Sequence, residues 1–304
     1  MMSRKAIIIL IIVLLIITAC GKNTVLNTPD IDPSSINFGT PQTLDVITWN
    51  LRTFPQGTDL EALKQIILAL NVDVIAFQEI MDYTTFIDMA SDIPNYNACI
   101  YSATDTYRLA YLYDTRTVTV NNQYTIYEND SNPFPRPPYI LDITWENDNY
   151  LIINNHLKAF GDNYIDENNN WDEEVRRRLA CMKLDSYIST NLPNSKVIVL
   201  GDMNDQIVEP PEYNVFLNFI NKSDEYYFVD MPIAVSPNYN NVSYPNSFSH
   251  IDHILITNEL FADFEQGGSY CKTILAENWM LNWNTYSSTI SDHRPVGIRL
   301  GKPH

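Results

Sequence analysis

Cationic residues are scarce in this chain. Its 304 residues carry 19 Lys and Arg against 37 Asp and Glu, a formal net charge of -18 with a pI of about 4.5. Tight non-specific binding to nucleic acid or anionic membranes needs clustered Lys and Arg, so this balance argues against it. It does not exclude a phosphate-cleaving site, because a bound divalent cation reverses the field locally. Cysteine is sparse too: Cys20, Cys99, Cys181 and Cys271, none in a CxxC or other metal-ligand spacing. That excludes a disulfide scaffold and a zinc site. Beyond Cys20 at most one bridge can form, and buried, unpaired thiols are expected. GxSxG, a P-loop and GxGxxG are all absent, as is any internal repeat of roughly 20–50 residues.

What is present is a globular composition, 45% hydrophobic and 12% aromatic, in a chain long enough to bury a large core. The first residues read as a targeting segment. Ser3-Arg4-Lys5 is basic, residues 6–17 are continuously apolar, and Ile17-Thr18-Ala19-Cys20 precedes Gly21. This is a secretory signal by charge, length and small-residue cleavage site. It resembles the lipobox of bacterial lipoproteins, in which Cys20 is acylated and becomes the mature N-terminus. The alternative, an uncleaved membrane helix, is disfavoured because the apolar run is short for a bilayer span. Either reading puts the protein outside the cytoplasm and attached to a membrane. Residues 21–43, rich in Asn, Thr, Pro, Ser and Asp, read as a flexible tether, and residues 44–304 as one domain.

The domain is organised around Val197-Ile198-Val199-Leu200-Gly201-Asp202-Met203-Asn204-Asp205. Four apolar residues in a row predict a strand buried on both faces. Placing carboxylates and an amide at its tip carries a desolvation cost unless a polar site waits there. The pattern recurs: residues 46–50 end in Asn50, 72–79 in Glu79, 150–156 in His156, and Asp292-His293 precedes a last strand at 296–300. Helical spacing of Leu60, Leu63, Ile66, Ile67 and Leu70, with Thr58 or Asp59 as N-cap, predicts a first helix. A short helix is expected over 83–90, and further strands at 96–101, 107–113, 118–126, 139–145, 251–257 and 269–277. A second clear helix is expected over 171–190, with Val175, Leu179 and Met182 on its core face. A short helix is assigned to 211–221, and 222–249 reads as loop. Strand runs with few helices between them point to two stacked sheets with helices outside.

Asn50, Glu79 and Asp292 are oxygen ligands without accompanying thiolates, a set that suits Mg²⁺, Mn²⁺ or Ca²⁺. His156 and His293 lie near strand ends beside carboxylates or amides, where an oriented imidazole can take a proton from water. Asp202 and Asn204 can hold that water or a phosphoryl oxygen. A metal, an oriented histidine and no nucleophilic Ser or Cys motif point to metal-assisted attack of water on a phosphate ester.

Six ordered pieces carry a resemblance: Thr48-Trp49-Asn50, Phe77-Gln78-Glu79, Asn155-His156-Leu157, Gly201-Asp202-Met203-Asn204, Ser249-His250-Ile251-Asp252-His253-Ile254 and Ser291-Asp292-His293-Arg294-Pro295. Together they resemble the endonuclease/exonuclease/phosphatase superfamily, the DNase I-like group. The resemblance implies a four-layer αββα sandwich of two packed mixed β-sheets flanked by helices. It makes Glu79 the main metal ligand, with Asn50 and Asp292 nearby, and Mg²⁺ the first cofactor, with Mn²⁺ or Ca²⁺ as alternatives. It makes His293 a general base or phosphate-orienting imidazole held by Asp252. Asp202 and Asn204 position or activate the attacking water and the phosphate, and His156 donates to a phosphate oxygen. Arg136, in Phe134-Pro135-Arg136-Pro137-Pro138, sits where relatives often place a phosphate-contacting arginine. Two features depart from the pattern. His250 and His253 flank Asp252 where many nuclease relatives have Arg and Tyr, and the motif that marks inositol 5-phosphatases is missing.

Arg176-Arg177-Arg178 is the densest basic run, read as a solvated helix face neutralised by Asp172, Glu173 and Glu174 rather than as a phosphate-tracking patch. Asp166, Asn168, Asn170 and Asp172 alternate like the start of a calcium loop, but Trp171 stands where Gly is needed and no Glu closes the loop. His250 and His253 are read as packing or supporting groups. The expectation is a lipid-anchored, extracytoplasmic, monomeric phosphoesterase, with nucleic acid favoured as substrate. Phospholipid, sphingolipid or sugar-phosphate esters are the alternatives, and an inactive binding scaffold is the reading from another class.

Overall fold

The computed structural model describes residues 33–101 and 106–302. The signal, Cys20 and most of the tether lie outside the described residues. Among the described residues, twelve strands form two six-stranded sheets. In chain order they are β1 (Thr43–Phe54), β2 (Val74–Ile80), β3 (Tyr96–Ile100), β4 (Arg108–Asp114), β5 (Val118–Thr125), β6 (Tyr139–Trp145), β7 (Asp148–His156), β8 (Val197–Asp202), β9 (Tyr226–Phe228), β10 (Asp252–Thr257), β11 (Tyr270–Thr273) and β12 (Val296–Gly301). One sheet runs β11-β12-β1-β2-β4-β3, the other β5-β6-β7-β8-β10-β9. Both are mixed: β1 and β2 are parallel, as are β7 and β8, and the other pairs are antiparallel. The helices are α1 (Leu60–Leu70), α2 (Tyr83–Ser91), α3 (Glu173–Asn191), α4 (Leu217–Ile220), α5 (Met231–Val235), α6 (Phe261–Phe264) and α7 (Trp283–Thr289). None of the described helices is long and apolar enough to cross a membrane.

The strand period of two divides the core into three apolar layers. On β1, Leu44 and Val46 face the second sheet, while Ile47, Trp49 and Leu51 pack under α1 and α2. On β8, Ile198 and Leu200 face the first sheet, while Val197 and Val199 pack with Cys181, Leu184 and Ile188 of α3. The result is helix, sheet, sheet, helix: the four-layer sandwich implied by the resemblance.

Three expectations are corrected. Residues 36–39 belong to the domain, not to a tether. Ile36 and Phe38 are buried in the first apolar layer, and the Phe38 and Gly39 amides donate to Leu70 O at 3.0 and 2.9 Å. The core face of α3 is turned away from Val175, Leu179 and the exposed Met182; its buried stripe is Arg177, Cys181, Leu184 and Ile188. A charged residue heads that stripe, so apolar spacing alone gives the wrong phase. The region expected as loop, 222–249, contributes β9 and α5, and the short α4 is confined to the end of the 211–221 stretch.

Candidate active site

The inter-sheet faces of several strands change character toward one end. On β1 the series Leu44, Val46 continues as Thr48 and Asn50. On β2 it runs Val74, Ala76, Gln78, on β7 Tyr150, Ile152, Asn154, His156, and on β8 Ile198, Leu200, Asp202. Registers bring these ends together: Asn50 lies beside Gln78, His156 beside Asp202, and Asp202 opposite Asp252 of β10. Two sheets that are apolar through most of their length therefore share one polar edge. Beneath it a buried ladder is tied by Gln78, whose Nε2 donates to Asn154 Oδ1 at 2.8 Å and Thr48 Oγ1 at 3.0 Å.

Backbone features aim the side chains. The β2 register shifts between Phe77 and Ile80, and Glu79 adopts φ +64°, a kink of the kind that re-aims a strand residue. Its Oε2 accepts from Thr53 N at 2.7 Å and its Oε1 from Asn50 Nδ2 at 3.2 Å. Gly201 has φ +142°, and a Cβ there would sit 1.9 Å from Asn155 O. Only glycine lets β7 and β8 close at this point.

Asp202 is the hub. Its Oδ2 accepts from Asn50 Nδ2 at 2.9 Å and lies 3.6 Å from His156 Nε2 and 3.9 Å from His293 Nε2. Its Oδ1 accepts from Asn204 N at 3.1 Å, and Asn204 Nδ2 donates to Leu157 O at 3.3 Å. His293 places Nδ1 2.8 Å from Asp252 Oδ2 and is fixed by its amide on Ser291 Oγ at 2.9 Å. The Tyr244 ring lies against the His293 ring, centroids 4.7 Å apart. His156 Nε2 is 3.8 Å from Glu79 Oε1.

Burial and charge set the proton affinities. Burial pushes the Asp202 carboxyl up, to about 7, helped by Asp252 and Glu79 and opposed by His293 and the Asn50 amide. Burial pulls His293 down, but Asp252 and Asp202 outweigh it and raise it to about 10. His156 is held well below its ordinary value by burial, then by Arg136 and His293. At neutral pH one imidazole is thus a cation and the other neutral.

The sequence-selected residues Asn50, Glu79, His156, Asp202, Asn204, Asp252 and His293 meet at this edge. Arg136 stacks over Tyr107 at 5.1 Å and feels the charges of Glu79 and Asp202 without touching either. Asp292 makes no contact with Glu79 in the described hydrogen-bond network; its Oδ1 is buried with no hydrogen-bond partner, as is Asp252 Oδ1. These acidic and imidazole groups can hold a divalent metal: one ligand atom each from Asp202, Asp252 and His293 falls within 4.8 Å of the others. His293 Nδ1 is taken up by Asp252 Oδ2, whereas Glu79, Asn50 and Asp292 offer hard oxygens, that of Asp292 orphaned, as a hard cation requires.

A family model, described as Endonuclease/Exonuclease/phosphatase family, matches residues 47–293. The chain belongs to the endonuclease/exonuclease/phosphatase family. Members of this family are phosphoesterase hydrolases and generally use a divalent metal. No curated protein matches the chain in sequence. Among solved structures, an endonuclease/exonuclease/phosphatase family protein from Bacteroides thetaiotaomicron is similar with 16% identity and TM-score 0.61, over 88% of this chain and 100% of that one. D. rerio TDP2 complexed with single-strand DNA product is similar at 13% identity and TM-score 0.59, over 86% and 99%. The human nocturnin catalytic domain with bound sulfate follows at 16% identity and TM-score 0.59, over 84% and 93%.

The family motifs did not reveal everything at this edge. Arg177, read as a solvated surface group, is 1% exposed. It donates through Nε to Asp205 Oδ2 at 2.7 Å, through Nη1 to Lys158 O at 2.8 Å and to Phe160 O at 2.5 Å, and pairs with Glu174 at 3.1 Å. It clamps the loops that follow His156 and Asn204. Arg176 also turns inward, its Nε on Asn132 O at 2.6 Å. The i to i+4 charge pattern suggested solvated pairs because the carbonyl and Asp205 partners are remote in sequence. His250 and His253 are supporting groups, as expected, through a partner the sequence gave no sign of, Asp230.

Proposed function

We propose that this chain is a Mg²⁺-dependent phosphodiesterase of nuclease type, held outside the cytoplasm by a lipid on Cys20 and acting as a monomer. The observation that carries the reading is the line Asp252–His293–Asp202 closing on Asn50 and Glu79. Glu79, Asn50 and Asp292 would hold the cation. When bound it supplies positive charge for the phosphoryl and leaving oxygens.

The chain's own groups divide the remaining work. Asp202, lifted towards neutrality and oriented by Asn50 and by the Asn204 amide, accepts the proton of the attacking water as its oxygen bonds to phosphorus. The P–O bond to the leaving group breaks, and the departing alkoxide takes a proton from bulk water. His293, kept cationic by Asp252 and Asp202, presents Nε2–H to a non-bridging phosphoryl oxygen where negative charge grows. Of the two roles the resemblance leaves to His293, this takes the phosphate-orienting one and gives the base to Asp202, whose proton affinity matches the task. Neutral His156 donates from Nε2 to a second oxygen. Arg136, half-buried on Tyr107, offers its guanidinium to a flanking phosphate. The net charge of -18 favours short or single-stranded nucleic acid over long duplexes.

Hydrolysis by the protein with Mg²⁺ or Mn²⁺ tests the reading on four substrates: plasmid DNA, single-stranded oligonucleotide, sphingomyelin and bis-p-nitrophenyl phosphate. Cleavage of nucleic acid, lost with EDTA and in His293→Ala, is expected. Turnover of the lipid alone would move the protein to a phospholipid-directed activity of the same fold, the reading that membrane anchoring favours.

A further inference from the structure

We propose a second cation site, of the calcium class, where the loop after β7 meets the start of α3, formed by Asp162, Asp172 and Glu174. One carboxylate oxygen from each of the three lies within 4.8 Å of the others. Each residue already uses one oxygen on the backbone. Asp162 Oδ1 accepts from Tyr164 N at 3.1 Å, Asp172 Oδ1 caps α3 at Val175 N at 2.9 Å, and Glu174 Oε1 accepts from Asn163 N at 2.8 Å. The loop therefore fixes the carboxylates while leaving each a second oxygen.

The independent sign of a ligand is Glu174. It is 1% exposed, and its Oε2 has no hydrogen-bond partner. A buried, unpaired carboxylate oxygen is destabilising unless a cation faces it. Arg177 does not fill that role alone, since it meets Glu174 through Oε1 and also serves Asp205. The neighbouring cations are engaged elsewhere: Lys158 with Glu173 at 3.3 Å, Arg178 with Glu167, and Arg176 with main-chain carbonyls. Gly161, at φ +124°, lets the loop backbone lie directly over the Glu174 carboxylate; a Cβ there would be 2.1 Å from Oε1.

The donors are all oxygen, borne on an irregular loop and open to solvent at Asp162. That set suits Ca²⁺, which tolerates irregular geometry, better than Mg²⁺, which demands a near-ideal octahedron. The site shares only Asp172 with the alternating Asp166, Asn168, Asn170, Asp172 pattern. Asp166 caps the turn at Asn168 N and Asn169 the next at Trp171 N, and the converging carboxylates come from the two ends of the loop. The loop begins at His156, and a cation there would stiffen the rim of the active site.

Calorimetric titration of the EDTA-treated protein with CaCl₂, with melting in parallel, tests the proposal. Wild type is expected to bind two equivalents, and Glu79→Gln and the Asp162→Asn/Asp172→Asn double variant one each. Saturating Ca²⁺ should raise Tm by roughly 5 °C in Glu79→Gln and leave Tm unmoved when Asp162→Asn and Asp172→Asn are added to Glu79→Gln. Asn caps a helix as well as Asp, so the double variant should melt with wild type in EDTA, which separates loss of the ion from loss of the fold. Asp162→Asn alone, at an exposed position, should weaken binding at least tenfold. A Glu79→Gln protein that binds no Ca²⁺ overturns the proposal, as does one whose equivalent and Tm rise survive the added Asp162→Asn and Asp172→Asn; a wild type that binds only the equivalent kept by Glu79→Gln bears on the active-site cation alone.

Discussion

Two Asp–His clusters sit on opposite faces of β10, supplied by consecutive residues. Asp252 points between the sheets to His293; His253 points the other way to Asp230. In the second cluster every polar atom is used. Asp230 Oδ1 accepts from Ile254 N at 3.0 Å, and Oδ2 takes His250 Nε2 at 3.1 Å and His253 Nδ1 at 2.6 Å. His250 Nδ1 accepts from Ser243 N, and His253 Nε2 faces Asp205 O at 2.8 Å. Both nitrogens of His253 meet acceptors, so both carry protons, and the ring is a buried cation paired with the Asp230 anion. Burial opposes this state on both partners, but their mutual attraction holds Asp230 below its ordinary range and His253 above. In the first cluster Asp252 Oδ1, Asp292 Oδ1 and His156 Nδ1 are buried without partners. The same residue types build a finished scaffold on one face and an unfinished site on the other. Unmet polar capacity, not residue identity, marks the face where a ligand belongs.

Breaking the unfinished cluster should stop chemistry while sparing the fold. His293→Ala is expected to lower kcat by about 10³-fold, read by steady-state kinetics, with a smaller fall in Tm than the scaffold variant next described. Asp230→Ala should do the reverse. It leaves the His253 cation buried and unpaired, at a cost of about 3–5 kcal/mol, seen in urea unfolding, while folded enzyme keeps most of its kcat. Arg177→Met should follow at about 3 kcal/mol, because Asp205 and Glu174 lose their shared partner.

A smaller effect is the pH dependence of the metal-free protein. His293 is raised to about 10, so its stabilisation is complete below about 6.5 and lost as pH rises through 10. Asp202 is raised to about 7, so the fold also holds its proton more tightly and is weakened as pH rises towards 7. Both signs agree: Tm in EDTA should fall between pH 6 and pH 9, and Asp202→Asn should flatten the curve below pH 7. The smallest expected change is Arg136→Met, with KM up by about tenfold (~1.4 kcal/mol) and kcat nearly unchanged.

Much of this was legible in the sequence because strand alternation is local. Polar residues appended to apolar strands at Asn50, His156 and Asp202 could be placed on one edge from period and order alone. The Glu79 kink was not legible, since φ +64° arises from the β2 register shift against β4. Nor was the Asp230 pairing, in which Asp230 and His253 stand 23 residues apart across a stretch that reads as loop. Arg177 was misplaced for a related reason. Its partners, Asp205 and two main-chain carbonyls, become neighbours only when the loops after β7 and β8 fold over α3. Helix α7 went unread because Trp283-Asn284-Thr285-Tyr286-Ser287 lacks an apolar stripe, although Asn282 caps it through Thr285 N at 3.0 Å.

Turnover of bis-p-nitrophenyl phosphate with Mg²⁺, compared between wild type, His293→Ala and Asp230→Asn, tests the central claim most directly. The expected result is wild-type hydrolysis that EDTA abolishes, loss of about 10³-fold in His293→Ala, and less than tenfold in Asp230→Asn. Retention of wild-type kcat by His293→Ala, on an ester that the wild type hydrolyses, would contradict it.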